Sequence, residues 1–250
     1  SWRDTTRPPI RCGDDFIGKK TSGGVRARMT SSAKRYTEEE VLKGARRQYT
    51  EGRAVWGIDP ARMALIIIDM EDEFVKPEYS VHWIPDAYRQ VPKIKLLIET
   101  CREQGIPIIY TCCIYHPKGY DAGLIPEVPM GMARAGMTEL FREVDIFEDL
   151  APRPEDVIIT KQTYNAFYNT NLDHTLKGMG RDTVIICGTM TNYCCGASAR
   201  DAFFRGYRVV FGSDINATDD PQLHEAELQT LRRGYALIMS CDEIIEAIND

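Results

Sequence analysis

The chain of 250 residues is long enough to bury one sizeable core and still carry an appendage. Its 43% hydrophobic and 27% charged residues are ordinary for a globular protein, and no apolar run approaches the ~20 residues of a membrane span. A net charge of −6 leaves no basic footprint for nucleic acid or an acidic membrane surface.

Residues 1–36 are polar, rich in Arg, Gly, Ser and Thr, and lack helical or strand periodicity, so they read as an extended arm. The opening SWRDTTRPPI has charges and prolines where a signal peptide would have an apolar stretch. YTEEEVLKGARRQYTEG then predicts a helix over 37–52, with Thr37 as N-cap, Glu40 three residues on and Gly52 as the stop. From MALIIID (63–69) onward, short β-branched runs alternate with helical stretches. Strands are expected at 63–69, 106–114, 156–161, 183–188, 208–214 and 236–240, and helices at 86–104, 171–179, 193–205, 221–233 and 241–248. Near-continuous Val/Ile runs indicate strands buried on both faces. The fold class is therefore α/β, a three-layer αβα doubly wound Rossmann-like parallel sheet of about six strands, its crossovers right-handed. The expected organisation is an arm (1–36), a helix and linker (37–60) and one domain (61–250).

The eight cysteines, at 12, 101, 112, 113, 187, 194, 195 and 241, form no C-x-x-C pair, and two pairs are directly adjacent. Several lie in apolar runs such as IIYTCCIY, where a free thiol packs as a small hydrophobe, so a reduced, cytoplasmic protein is expected.

In a doubly wound sheet, ligands bind beyond the carboxyl ends of the strands. Asp69 ends the first strand, Lys161 the third, and the fourth runs into GTMTNYCC. Taken singly, Asp69 reads as a turn cap, Lys161 as an exposed loop lysine, and Cys194 and Cys195 as core. Together, an acid, an amine and a thiol converge on one sheet edge. Adjacent helical positions point about 100° apart, so only one of the two cysteines can face a pocket there. A thiol at a helix start beside a cation is expected to have a lowered pKa. Asp69 would take its proton, and backbone N–H groups of the turn would hold an oxyanion. The four histidines (82, 116, 174, 224) form no H-E-x-x-H or H-x-x-x-H pair, and His82 and His116 read as exposed polar residues, with the mouth of a site as the alternative. No metal constellation and no nucleotide fingerprint is present, so neither metal nor cofactor is expected. KQTYNAFYNTNLD (161–173) offers Tyr164, Asn165, Phe167, Tyr168 and Asn169, either as a lining for a small planar polar ligand or as loop packing.

Three stretches resemble the isochorismatase-like cysteine hydrolases, over roughly 63–245: ALIIIDMEDEF with Asp69 and Phe74, VIITKQTYNAFYNTNLD with Lys161, and VIICGTMTNYCCGASARDAFFRGYRVVFGSD, where a G-x-x-T-x-x-C pattern runs Gly188, Thr191, Cys194. The resemblance implies Cys194 as nucleophile, Asp69 as proton shuttle and Lys161 favouring the thiolate. It also implies a cis peptide between Thr189 and Met190, and an oxyanion hole from the backbone N–H groups of Met190 and Cys194. Phe74, Tyr164, Asn165, Phe167 and Tyr168 become candidate substrate contacts. Cys195 stands where the family usually has an aliphatic residue. The nicotinamidase subgroup carries an Asp and two His around a metal after the second strand, whereas this chain has only His116 in YTCCIYHPKGYDAG. True isochorismatases typically lack the cysteine. The chain looks most like ureidoacrylate and N-carbamoyl amidohydrolases, implying a small-molecule amide or ureido substrate, cleaved at a C–N bond through a thioester. The alternatives are another small amide (maleamate- or nicotinamide-like) and a non-catalytic scaffold. Family members are commonly oligomeric, so a homo-oligomer (dimer or tetramer) is expected; the arm reads either as a floppy tail or as an embrace at that interface, with Trp2, Phe16 and Trp56 as anchors.

Overall fold

Six short apolar runs become the strands of one parallel sheet in the computed structural model, which describes residues 35–78, 82–127 and 145–250. The proposed arm, with Trp2 and Phe16, lies outside the described residues apart from its last two positions. The strands are β1 (Met63–Ile68), β2 (Ile108–Cys113), β3 (Val157–Lys161), β4 (Thr183–Thr189), β5 (Arg208–Ala217) and β6 (Leu237–Met239). Their order across the sheet is β3-β2-β1-β4-β5-β6, so the winding reverses between β1 and β4. That reversal opens a crevice at the carboxyl ends of these two strands.

Strand periodicity sorts β1 into two cores. Met63, Leu65 and Ile67 face one layer, packing with Ile94, Leu97 and Ile98 of α3 (Pro85–Glu103) and with Ile244 and Ile248 of α7 (Cys241–Asn249). Ala64, Ile66 and Ile68 face the other, with Leu172 and Leu176 of α4 (Leu172–Gly178), Ala199 and Ala202 of α5 (Gly196–Phe204), and Leu228 and Leu231 of α6 (Pro221–Gly234). All six β1 residues are buried, as expected of a central parallel strand covered on both faces. Each such isoleucine contributes about 1.5–3 kcal/mol of transfer free energy.

α1 (Glu38–Glu51) opens with three glutamates suited to a helix N-terminus. It stops at Gly52, whose positive φ lets its N–H reach the Gln48 carbonyl at 3.0 Å. Tyr49 holds it to α6, its hydroxyl accepting from Arg233 at 2.8 Å.

Three expectations change in detail. β2 begins at Ile108 rather than 106, because Pro107 has no N–H and Ile106 donates to Cys101 at the end of α3. β5 runs on to Ala217, three residues past the end expected at 214; Asn216 stabilises the irregular pairing with β4 by donating to the Ile186 and Gly212 carbonyls at 2.9 and 2.7 Å. The helix expected over 193–205 is split into a π-helical turn, Thr191–Cys195, followed by α5. The Met190 carbonyl accepts from both Tyr193 and Cys195, each at 3.1 Å, which widens the first turn. Gly196 permits this geometry, since a Cβ there would strike the Glu227 carboxylate and crowd the Thr191 carbonyl. A short helix not anticipated, α2 (Asp72–Val75), follows β1.

Candidate active site

Each side chain of the site comes from the carboxyl end of a strand. Asp69 follows β1 with φ 49°, its N–H facing the Thr111 carbonyl and hydroxyl at 3.3 Å. The Thr111 hydroxyl donates to Asp69 Oδ1 at 2.7 Å, and the Thr189 hydroxyl donates to the Asp69 carbonyl at 2.7 Å. The Asp69 carboxylate is therefore fixed from β2 and its backbone from β4. Lys161 and Cys113 close β3 and β2, paired across the sheet. Cys194 sits in the π turn after β4.

Lys161 is fully buried, and its ammonium is the hub. Nζ lies 2.7 Å from Asp69 Oδ2, 3.0 Å from the Thr163 carbonyl, 2.9 Å from Cys113 Sγ and 3.6 Å from Cys194 Sγ. Burial disfavours this charge, but the Asp69 carboxylate and the neighbouring sulfurs outweigh it and hold the lysine well above its ordinary pKa. The Cys194 thiol, hydrogen-bonded to Asp69, is itself pushed up by burial, and the Lys161 ammonium and the Met190 amide offset this only in part. The expectation of a lowered thiol pKa is corrected: at rest Cys194 is a protonated thiol, because desolvation beats the single cation that Asp69 already neutralises.

Local backbone explains the pattern G-x-x-T-x-x-C. Gly188 has φ 123°, and a Cβ there would land on the Ile68 carbonyl, so β1 and β4 can approach only through a glycine. The Thr189–Met190 peptide is cis. Thr191 bonds His224 Nδ1 at 2.9 Å, while His224 Nε2 meets the Ser213 carbonyl at 3.0 Å. A carbonyl only accepts, so Nε2 carries the proton and Nδ1 accepts from the Thr191 hydroxyl. Cys195 is fully buried in the same core as Ala199, Ala202 and Phe211.

A cavity of about 560 Å³ adjoins this cluster, lined by Asp121, Gln162, Thr163, Tyr164, Tyr168 and Asn169 among others. Thr163 joins it to Lys161, and Tyr164 joins it to the π turn, its ring 5.3 Å from that of Tyr193. Of the proposed substrate contacts, Tyr164 and Tyr168 line this cavity; Phe74, Asn165 and Phe167 do not. Phe74 is buried in the α3-side core, and Phe167 lies under Tyr207 with centroids 5.8 Å apart. Asn165 ties its loop down, accepting from the Phe167 N–H at 2.8 Å and donating to Asp201 at 2.7 Å. His116 stacks on Tyr120 at 4.8 Å in an exposed loop.

Sequence reasoning missed four residues around the triad: Cys113, Glu71, Thr111 and His224. Glu71 is buried two residues after Asp69 and accepts from the Cys113 N–H at 3.1 Å. Burial, reinforced by the Asp69 charge, raises its pKa well above the carboxylate range. Asp69, Glu71 and Cys113 bring donor atoms within 4.8 Å of one another, but the Lys161 ammonium already lies against Asp69 and Cys113, where a cation would sit. The signal for Cys113 was its place opposite Lys161 across the β2–β3 pair.

The isochorismatase domain model matches residues 63–243. The chain belongs to the isochorismatase family. Nicotinamidase 3 of Arabidopsis thaliana is 31% identical over 181 residues, covering 72% of this chain and 86% of the relative. A cysteine hydrolase from Pseudomonas syringae pv. phaseolicola 1448A superposes with a TM-score of 0.72 at 30% identity, covering 78% of this chain and 96% of its own. N-carbamoylsarcosine amidase from Thermoplasma acidophilum does so with a TM-score of 0.61 at 28% identity, over 73% and 98%. The chain is thus a hydrolase of the isochorismatase-like cysteine hydrolase type. Among the described residues, no helix is long and apolar enough to cross a membrane.

Proposed function

We propose that this chain is a cysteine-dependent amidohydrolase cleaving the C–N bond of a small carbamoyl, ureido or primary amide compound. The observation that carries the reading is the joint placement of Asp69, Lys161 and Cys194, with Nζ 2.7 Å from the carboxylate and 3.6 Å from the sulfur. Cys194 begins as a thiol. As its sulfur attacks the carbonyl carbon, Asp69 takes the proton, and the Lys161 ammonium balances the charge gathering on the sulfur. The developing oxyanion is held by the backbone N–H groups of Met190 and Cys194. Asp69 returns the proton to the leaving nitrogen, and ammonia or an amine departs, leaving a thioester. Water attacks the thioester with Asp69 again taking a proton, releasing the acid and restoring the thiol. This chemistry requires a reduced sulfur, in keeping with free cysteines at all seven described positions and with a reducing compartment such as the cytoplasm.

The substrate occupies the cavity beside Thr163, its amide end toward Cys194 and its remainder against Tyr164 and Tyr168. Carbamoyl and ureido compounds have the support of the structural relative named an N-carbamoylsarcosine amidase. A nicotinamide-like aromatic amide is the second reading, favoured by the 31% identical relative named a nicotinamidase and by the tyrosine-lined cavity. An ammonia-release screen over ureido acids, carbamoyl amino acids, maleamate and nicotinamide separates the two. On the compound it finds, Cys194→Ala and Cys194→Ser abolish turnover with the fold intact, whereas Cys195→Val retains most of it. Equal loss from the Cys195 variant refutes the assignment. A wild type that turns over none of these compounds favours the non-catalytic scaffold.

A further inference from the structure

The Lys161 ammonium has three protons and, among the described residues, four acceptors. Asp69 Oδ2 at 2.7 Å and the Thr163 carbonyl at 3.0 Å take two of them, being the stronger acceptors. Two sulfurs compete for the third, Cys113 at 2.9 Å and Cys194 at 3.6 Å, and the nearer one is not the nucleophile. We propose that Cys113 is a positioning residue that holds the third Lys161 proton away from Cys194 in the resting site and so sets the pH at which Cys194 becomes nucleophilic. The inference rests on the amidohydrolase reading for its meaning, though its first test does not depend on turnover.

The geometry leaves Cys113 little other work. Its backbone is fixed by the ladder with Lys161 and by Glu71 Oε1, which accepts the Cys113 N–H at 3.1 Å. Its thiol lies 3.7 Å from Asp69 Oδ2, so Cys113, Asp69 and Lys161 close a ring in which the thiol donates to the carboxylate and accepts from the ammonium. Cys194 also meets Asp69 but lies farther from the ammonium, at 3.6 Å. For Cys194 to carry negative charge, the third N–H must swing from one sulfur toward the other, a small shift at the end of the lysine chain that moves all three N–H groups together and needs no backbone movement.

The groups bearing on the two sulfurs come from every surrounding element. Asp69 and Glu71 follow β1, Lys161 ends β3, Tyr115 and Tyr164 stand in the loops after β2 and β3, and Cys195 neighbours Cys194 in the π turn. Burial and the two carboxyl groups keep Cys113 above its ordinary pKa, with the ammonium opposing them, so it competes for the lysine as a neutral acceptor.

The test is the pH dependence of Cys194 alkylation by iodoacetamide, followed on the full-length protein by fragment-resolved mass spectrometry so that Cys194 and Cys195 are read separately. Cys113→Ala and Cys113→Val remove the acceptor with opposite changes in volume, so loss of fold in one leaves the other informative. Both are expected to lower the alkylation midpoint of Cys194 by about one pH unit, a tenfold gain in thiolate at a given pH. Cys113→Ser keeps an acceptor for the ammonium and is expected to stay within about 0.3 unit of the parent. On an amide that the enzyme turns over, the acid limb of kcat/KM moves with the alkylation midpoint. Unmoved midpoints in the Ala and Val variants overturn the inference, as does a Ser variant that shifts with them, which marks a packing effect alone. Absence of turnover on any amide defeats the amidohydrolase reading instead, and the alkylation series still decides the role of Cys113.

Discussion

Replacing Lys161 by methionine removes the only cation in contact with Asp69 among the described residues while nearly preserving side-chain length. Both partners of this pair are fully buried, and Nζ lies 2.7 Å from Oδ2. Breaking a buried pair from one side leaves an uncompensated charge, at a cost of about 3–5 kcal/mol. Asp69 would keep the Thr111 hydroxyl at 2.7 Å and the weak thiol donors Cys113, at 3.7 Å, and Cys194, far short of what a carboxylate loses on leaving water. For a unit of this size, 1 kcal/mol corresponds to about 2–4 °C, so Lys161→Met should lower Tm by roughly 6–20 °C. Asp69→Asn leaves the ammonium without its counter-charge and should cost a similar amount. The double variant Asp69→Asn/Lys161→Met buries no charge and should recover all but about 1–2 kcal/mol. Urea unfolding at pH 7 followed by circular dichroism gives the three values, and ammonia release checks that all three variants are inactive. If the double variant is as unstable as the sum of the singles, or each single loses less than about 1 kcal/mol, the pair is not the coupled buried unit argued above.

Two further outcomes follow from the backbone and the rim of the sheet. Gly188→Ala places a methyl on the Ile68 carbonyl at φ 123° and should cost at least ~2 kcal/mol or yield insoluble protein, measured by expression and denaturant midpoint. Asp182 sits between Arg62 and Arg208, the latter at 2.7 Å, and its hydrogen bond from Arg62 holds its carboxyl well below the usual range. A folded pKa depressed in this way gives stability that is present above the unfolded value near 3.9 and lost as pH falls through the folded one. Asp182→Asn should therefore cost about 1 kcal/mol at pH 7, given its partial exposure, and progressively less below pH 4, read by thermal unfolding at both pH values.

Much of the fold was legible because its central strands have unambiguous texture. A run such as Ala64–Ile68 has no polar face, and only a strand covered on both sides accommodates it. Asp69 and Lys161 were legible for the converse reason: a charged residue closing an apolar run at a sheet edge has few structural uses. The protonation of Cys194 was not legible, since spacing shows a nearby cation but not that Asp69 has neutralised it or that the sulfur is shut off from water. The π turn was hidden as well, because NYCCGASARDAFF has a helical texture throughout, and only the double use of the Met190 carbonyl widens its start. Phe167 and Asn165 sit within a few residues of Lys161 in sequence yet turn into the core and onto Asp201, a choice made by tertiary packing. Cys113 looked apolar among its neighbours, and its importance depends on the cross-strand register with Lys161.

The strand that supplies the ammonium stands at the margin of the sheet. Among the described residues β3 pairs only with β2, and Ile158 in its middle is half exposed. An outer strand opens at lower free energy than a central one, so its amides exchange with solvent sooner than those of β1 or β4. When β3 peels back, Lys161 leaves with it, and Asp69 and Cys194 stay behind as a carboxylate beside a neutral thiol. Catalytic competence is thus tied to an outer seam of the sheet, and heat or denaturant should disarm the enzyme while most of its helix and core signals persist.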